Sequence, residues 1–105
     1  MKYFLYLCED IEDSVYAAQI RREQLQDHLA YVEAQLVSYA VAGPNRQPNG
    51  SYRSSTFILQ APSLSVADEV MFNDPYVRAG LYQPFTGVEF IPAAGSWIGG
   101  VSWKR

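Results

Sequence analysis

The 105 residues hold one histidine, so imidazole acid/base chemistry has a single carrier, His28. A neutral histidine beside a carboxylate is a common general base, because the carboxylate fixes the tautomer and raises basicity. The carboxylate with least freedom is Asp74, in the stretch Asn73-Asp74-Pro75-Tyr76-Val77-Arg78-Ala79-Gly80-Leu81-Tyr82. Pro75 pushes Asp74 out of the α region and ends the preceding helix. Pro75 then opens a new turn, where its missing N–H costs nothing. Gly80 stands where a left-handed residue closes that turn. By residue type, Ser55 is the third candidate. Each of the three also has a plainer reading. His28 fits a half-buried helix residue paired with Asp27, Tyr31 or backbone. Asp74 fits a helix end bonded to backbone N–H groups, and Ser55 an ordinary strand residue.

Other chemistries are poorly supplied. One His and one Cys make no metal-ligand cluster, so neither metal nor cofactor is expected. Gly95, Gly99 and Gly100 lack the spacing of a nucleotide fingerprint. No Gly-x-Ser-x-Gly elbow is present. The net charge is −3 with no Lys/Arg run, which argues against a nucleic-acid partner. A lone cysteine, Cys8, excludes an internal disulfide framework and reads as a buried small hydrophobe. No apolar run approaches the roughly 18 residues of a membrane span. The apolar residues 2–8 are too few for a signal core before Glu9 and Asp10. A cytoplasmic protein is expected.

The elements that must position these groups follow from periodicity. Residues 2–8 read as a strand with Tyr3, Leu5 and Leu7 on one side and Phe4, Tyr6 and Cys8 on the other. Asp13 or Ser14 caps a helix of up to about six turns, bent near its middle. Its stripe is Val15, Ala18, Leu25, Leu29, Val32 and Leu36, with Arg22 in one slot. Arg21 and His28 fall on one line of that helix, roughly 10 Å apart, a span suited to two ends of a small substrate. Val37–Ala42 reads as a second strand, residues 43–50 as a loop ending in an Asn-Gly turn, and Ser51–Ala61 as containing a third strand, antiparallel to the second. Ser65 with Asp68 resembles a capping box for a second helix that runs to the Asp74-Pro75 break. Residues 85–91 form the last strand. Residues 92–105 are Gly-rich, and their Trp97, Ile98, Val101 and Trp103 either dock on a neighbour or hang loosely.

The order β-α-β-β-α-β predicts an α+β ferredoxin-like fold, an antiparallel sheet with both helices on one face. The first strand is apolar on both sides, and two helices cover only one. A second copy packed sheet to sheet, a homodimer, is the simplest cover for the other.

Four blocks then stand in a telling order: His28-Leu29-Ala30-Tyr31-Val32, Gly43-Pro44, Ser54-Ser55, and Asp74-Pro75-Tyr76-Val77-Arg78-Ala79-Gly80-Leu81. Together they resemble the YCII-related (YciI-like) family over residues 1–92, leaving 93–105 as a C-terminal extension. The resemblance implies a dimeric ferredoxin-like α/β domain. It also implies a site built from a helix His and the Asp of the last block, here His28 and Asp74. One branch of the family is a dehydrochlorinase of a chlorinated hydroxyhydroquinone, in which a third-strand Ser takes part; Ser55 is the matching position. Leu25 replaces an Arg that many relatives carry, Arg21 matches another Arg position, and Ser54-Ser55 replaces a Gly-Ser pair. The expected function is a cofactor-free small-molecule enzyme: elimination or dehydrochlorination, isomerisation, or proton transfer on a cyclic or aromatic substrate. His28 would move the proton and Asp74 orient it. Ser55 would bond a substrate oxygen, Tyr76 line the pocket, and Arg21 or Arg78 attract an anionic group. The alternatives are a non-catalytic metabolite-binding or accessory module, and a structural dimer with His28 and Asp74 as a packing pair.

Overall fold

β1 (Lys2–Glu9) is central because it is apolar on both faces and can pair along both edges. It is antiparallel to β3 (Tyr52–Ala61) on one side and to β4 (Val88–Phe90) on the other. β2 (Tyr39–Arg46) closes the order β2-β3-β1-β4. The helices α1 (Ser14–Glu23), α2 (Leu25–Ala34), α3 (Leu64–Phe72) and α4 (Pro75–Arg78) complete the ferredoxin-like fold. This computed structural model describes residues 1–104; Arg105, the last residue of the expected extension, lies outside the described residues.

The predicted face assignment of β1 is the one observed. Phe4, Tyr6 and Cys8 are buried with Phe57, Leu59, Ala67 and Met71 in the core. The opposite face leaves Leu7, Val41 and Val88 each 56% exposed, so this sheet has one covered side and one open apolar side. Just before β4, Gly87 lies against the Tyr6 ring, where a Cβ would come within 2.5 Å of ring carbon. Only glycine fits there.

Burial also sets the titration of this core. It pushes the Cys8 thiol up to about 12 and drives the Tyr6, Tyr39 and Tyr82 phenols well above their ordinary value. These groups keep their protons in the folded state, whereas the unfolded chain loses them from about pH 9 upward. Raised folded values mean that this stabilisation is intact at neutral pH and lost as pH rises toward the folded values. We expect the melting temperature to fall steadily above about pH 9, with Cys8 inert to thiol reagents until the protein unfolds. Rapid Cys8 labelling in the native protein near neutral pH would contradict this.

Several boundaries differ from the sequence expectation. The long helix is two, broken at Gln24 (φ −99, ψ 1), although the Gln24 N–H still bonds Ile20 O and the His28 N–H still bonds Gln24 O. Arg21 and His28 therefore sit on different helices. The break also changes which stripe is buried: Ala17 and Ile20 pack on Tyr76 and Leu81, while Val15, Leu25 and Leu29 are exposed. β2 begins after a turn of 3₁₀ helix (Leu36–Ser38) and runs on through Gly43-Pro44 to Arg46. It is an edge strand, where the missing N–H of Pro44 breaks no ladder. Ser63, not Ser65, caps α3: its extended backbone lets Oγ accept from Val66 N at 3.3 Å. β4 is shorter than residues 85–91, because Phe85 instead stacks on Phe72 and meets the Tyr6 ring edge-on. Beyond β4 the chain makes a small hairpin, β5 (Ala94–Gly95) with β6 (Gly100–Val101). Its Trp97 meets the Tyr3 ring edge-on at 5.6 Å, on the open side of the sheet.

Candidate active site

The Asp74-Pro75 break behaves as its residues dictate. Asp74 has an extended backbone, and its Oδ1 accepts the Tyr76 N–H at 2.8 Å, capping α4. Gly80 takes φ +83 and ends the turn. The carboxylate is completely buried, so it needs partners. His28 on α2 supplies the second: Nδ1 lies 2.8 Å from Oδ1 and 2.9 Å from Oδ2. A carboxylate only accepts, so Nδ1 carries the hydrogen and Nε2 of the neutral ring carries the lone pair. The Tyr76 ring stacks on the imidazole with centroids 4.0 Å apart and planes 9° apart. Its hydroxyl donates to Arg21 O at 3.2 Å. Tautomer, tilt and depth of the imidazole are thus all fixed.

His28 forms part of the wall of a cavity of about 440 Å³, shared with Leu25, Leu29, Ser55, Phe57 and Tyr76. Leu25, Leu29 and Val32 of the predicted stripe line this pocket, and Val32 also packs against the core. Ser55 lies buried at the base of β3. Its Oγ is 3.1 Å from the Tyr82 hydroxyl and 3.5 Å from Arg21 Nη2. Burial keeps the Tyr82 phenol protonated, so both neighbours donate to Oγ. The Ser55 hydroxyl hydrogen is left to donate to a ligand oxygen.

Arg21 reaches this site already engaged. Its Nε and Nη2 form a bidentate pair with Asp10 at 2.9 and 2.7 Å. Arg53 Nη1 stands 4.0 Å from the same carboxylate, and its Nη2 donates to Ile11 O at 2.7 Å. Asp10 and Arg53 were missed by sequence reasoning, whereas Tyr82 was among the aromatic residues expected to line the pocket or the core. The antiparallel register offered a signal, since pairing Glu9 with Ser54 sets Asp10 beside Arg53. The structure brings together His28, Asp74, Tyr76, Ser55 and Arg21; Arg78 is exposed at the end of α4 and is not among the residues that line the pocket. Among the described residues there is no group of three or more His, Cys, Asp or Glu able to hold a metal. No helix among them is long and apolar enough to cross a membrane.

Fold and site together define a ferredoxin-like α+β domain with a buried His–Asp pair opening on an apolar pocket. More narrowly, the model of the YCII-related domain matches residues 1–91, and the chain belongs to that family. No curated protein sequence matches it. A similar solved structure is the 5-chloro-2-hydroxyhydroquinone dehydrochlorinase of Burkholderia phenoliruptrix AC1100, in complex with 2,5-dihydroxybenzoquinone. It is 25% identical, with a TM-score of 0.72 over 90% of this chain and 96% of the other.

Proposed function

We propose that this protein is a small-molecule enzyme that moves a proton at Nε2 of His28, acting on a cyclic or aromatic substrate without an added cofactor. The observation that carries this reading is the Asp74 carboxylate spanning Nδ1, which leaves Nε2 as the basic atom beside the pocket. In an elimination, Nε2 takes a proton from the substrate. The electron pair of the broken bond forms the new double bond, and the leaving group departs with its own bonding pair. The resulting imidazolium is held by Asp74, and Ser55 donates to the oxygen on which negative charge gathers. Loss of hydrogen halide from a halogenated hydroxylated ring is the favoured instance, supported by the neighbour that is a dehydrochlorinase of a hydroquinone. Isomerisation would use the same proton transfer.

The test is halide release from halogenated hydroquinones by wild type and His28→Gln. We expect the variant to lose on the order of a hundredfold or more in turnover with its melting temperature nearly kept. Loss of binding or stability without any wild-type turnover would instead favour the metabolite-binding or packing-pair readings.

We further propose a homodimer through the open sheet face, in a reducing, cytoplasmic setting that suits the free, buried Cys8. Leu7, Val41 and Val88 support it, because an exposed apolar face of this kind needs a cover. The residues from 93 onward act as an extension of the domain, with Trp97 on the same side. Leu7→Asp should convert a dimer to a monomer in light scattering; a wild-type monomer would dismiss the interface.

A further inference from the structure

A second cavity, of about 580 Å³, adjoins the His28 pocket and shares Arg21, Arg22 and Tyr52 with it as walls. Its chemistry is unlike that of its neighbour. Asp10 is the one carboxylate among the described residues that line it, and both its oxygens are taken by Arg21. Arg53 also lines it, with one Nη on Ile11 O. Arg22 makes no ion pair or hydrogen bond to the described residues. Across the cavity, Gln47, Asn49 and Ser51 form a turn. The Ser51 hydroxyl lies 3.1 Å from Gln47 Oε1 and 2.7 Å from Asn49 Oδ1, and the Ser51 N–H donates to Asn49 Oδ1. Both amide oxygens are thus occupied from within, and both amide NH₂ groups remain as donors. Arg46 donates to the hydroxyl of the lining Tyr52 at 2.8 Å. Three of the chain's eight Lys and Arg residues line this cavity, although the net charge is −3.

A concave wall with three guanidiniums against one carboxylate, that carboxylate held by Arg21, and with Arg22 and the two amide NH₂ groups left as donors among the described residues, selects an oxyanion. We propose that this cavity is an anion subsite, which takes a carboxylate or phosphate arm of the ligand whose ring occupies the His28 pocket. The proposal deepens the proposed function and rests on its placement of the ring. Arg22 is the discriminating contact, Arg53 and the two amides complete the cradle, and the shared Arg21–Arg22–Tyr52 wall is where ring and arm join.

The test uses wild type, Arg22→Gln and Arg53→Gln with three probes: inorganic phosphate, hydroquinone, and its ring-carboxylated analogue gentisate. NMR follows the arginine Nε–Hε signals and the His28 ring, with chloride at matched ionic strength as the control. We expect phosphate, but not chloride, to move Arg22 and Arg53. Gentisate should bind about tenfold more tightly than hydroquinone, and Arg22→Gln, at an exposed position without partners among the described residues, should erase that advantage while still folding. Phosphate binding equal to gentisate's gain would mark a phosphate arm; phosphate weaker than gentisate, a carboxylate arm. Both support the subsite. Unmoved arginines, or equal affinity for the two ring compounds, overturn it while leaving the His28 pocket standing if hydroquinone shifts the His28 ring. Arginines moved by phosphate with the His28 ring untouched by either ring compound would sink the ring placement, and with it the arm, leaving a bare anion site.

Discussion

Asp74→Asn should lower turnover on the order of a thousandfold while leaving most of the fold intact. The reason lies in hydrogen bookkeeping. The amide can keep its oxygen at the Oδ1 position, where it still accepts the Tyr76 N–H and caps α4. Its NH₂ then takes the Oδ2 position, 2.9 Å from Nδ1. That NH₂ opposes the Nδ1 hydrogen, which keeps only the Oδ1 acceptor, 2.8 Å away and shared with the Tyr76 N–H. The cheapest relief moves the imidazole hydrogen from Nδ1 to Nε2, so the nitrogen beside the pocket becomes a donor and cannot act as base. Turning the amide over fares worse, since it faces an NH₂ against the buried Tyr76 N–H at a cost of about 1–3 kcal/mol. The tautomer is readable without any substrate, from the two ring-nitrogen NMR shifts of the only histidine. Wild type should show hydrogen on Nδ1 in its neutral form and the variant on Nε2. An unchanged tautomer together with unchanged turnover would remove Asp74 from the mechanism. Against His28→Gln, which deletes the base, Asp74→Asn retains it and misdirects its proton, so the pair of variants separates presence from orientation.

How much of this was legible in advance depends on the range of the forces involved. The Asp74-Pro75 break and its Gly80 stop are local: a proline ring and a positive φ act on their immediate neighbours, and the structure shows both as read. The alternation along β1 and the β-α-β-β-α-β order were legible for the same reason. That His28 meets a residue 46 positions away follows from no spacing; the resemblance to the YCII-related family implied it. The helix stripe misled because Leu25 and Leu29 have the period of a core-facing helix yet line an open pocket, while Val32 reaches the core as well, and periodicity cannot tell the two apart. A bend near the middle of the long helix was expected, and a break falls there, at Gln24, with no proline or glycine to mark the residue. The cap of α3 passed from one serine to another two residues earlier, where the backbone is extended and the hydroxyl reaches Val66 N. Asp10 was hidden most thoroughly. It looks like an acidic stop after an apolar strand, and its meaning appears only when Arg21 and Arg53 arrive from separate elements.

That hidden residue carries the largest expected effect on stability. Asp10→Ala should cost about 2–4 kcal/mol, a melting temperature lower by about 10 °C or more. Removing one partner of a buried pair usually costs about 3–5 kcal/mol because a charge is left uncompensated. Here the loss is reduced, since the Arg21 side chain keeps 16% of its exposure and Arg53 keeps its bond to Ile11 O. The same arithmetic predicts rescue. The deleted carboxylate leaves a gap facing the donor fork of Arg21, and a small carboxylate that enters it binds only the folded state. Acetate or formate should therefore raise the melting temperature of Asp10→Ala above that in equal chloride, and do little to wild type. A fall of under about 1 kcal/mol would place the pair with ordinary surface ion pairs, and the reading of Asp10 as an anchor would go. A large fall without acetate rescue would mean that the lost packing of Asp10, rather than the stranded guanidinium, sets the cost. The two buried acids thus make separable predictions. Asp74 holds the imidazole, so its amide variant should fail in chemistry first. Asp10 holds the guanidinium of Arg21, the residue whose backbone carbonyl receives the Tyr76 hydroxyl, so its loss should fail in stability first and reach the His28 ring only through the tyrosine stacked upon it.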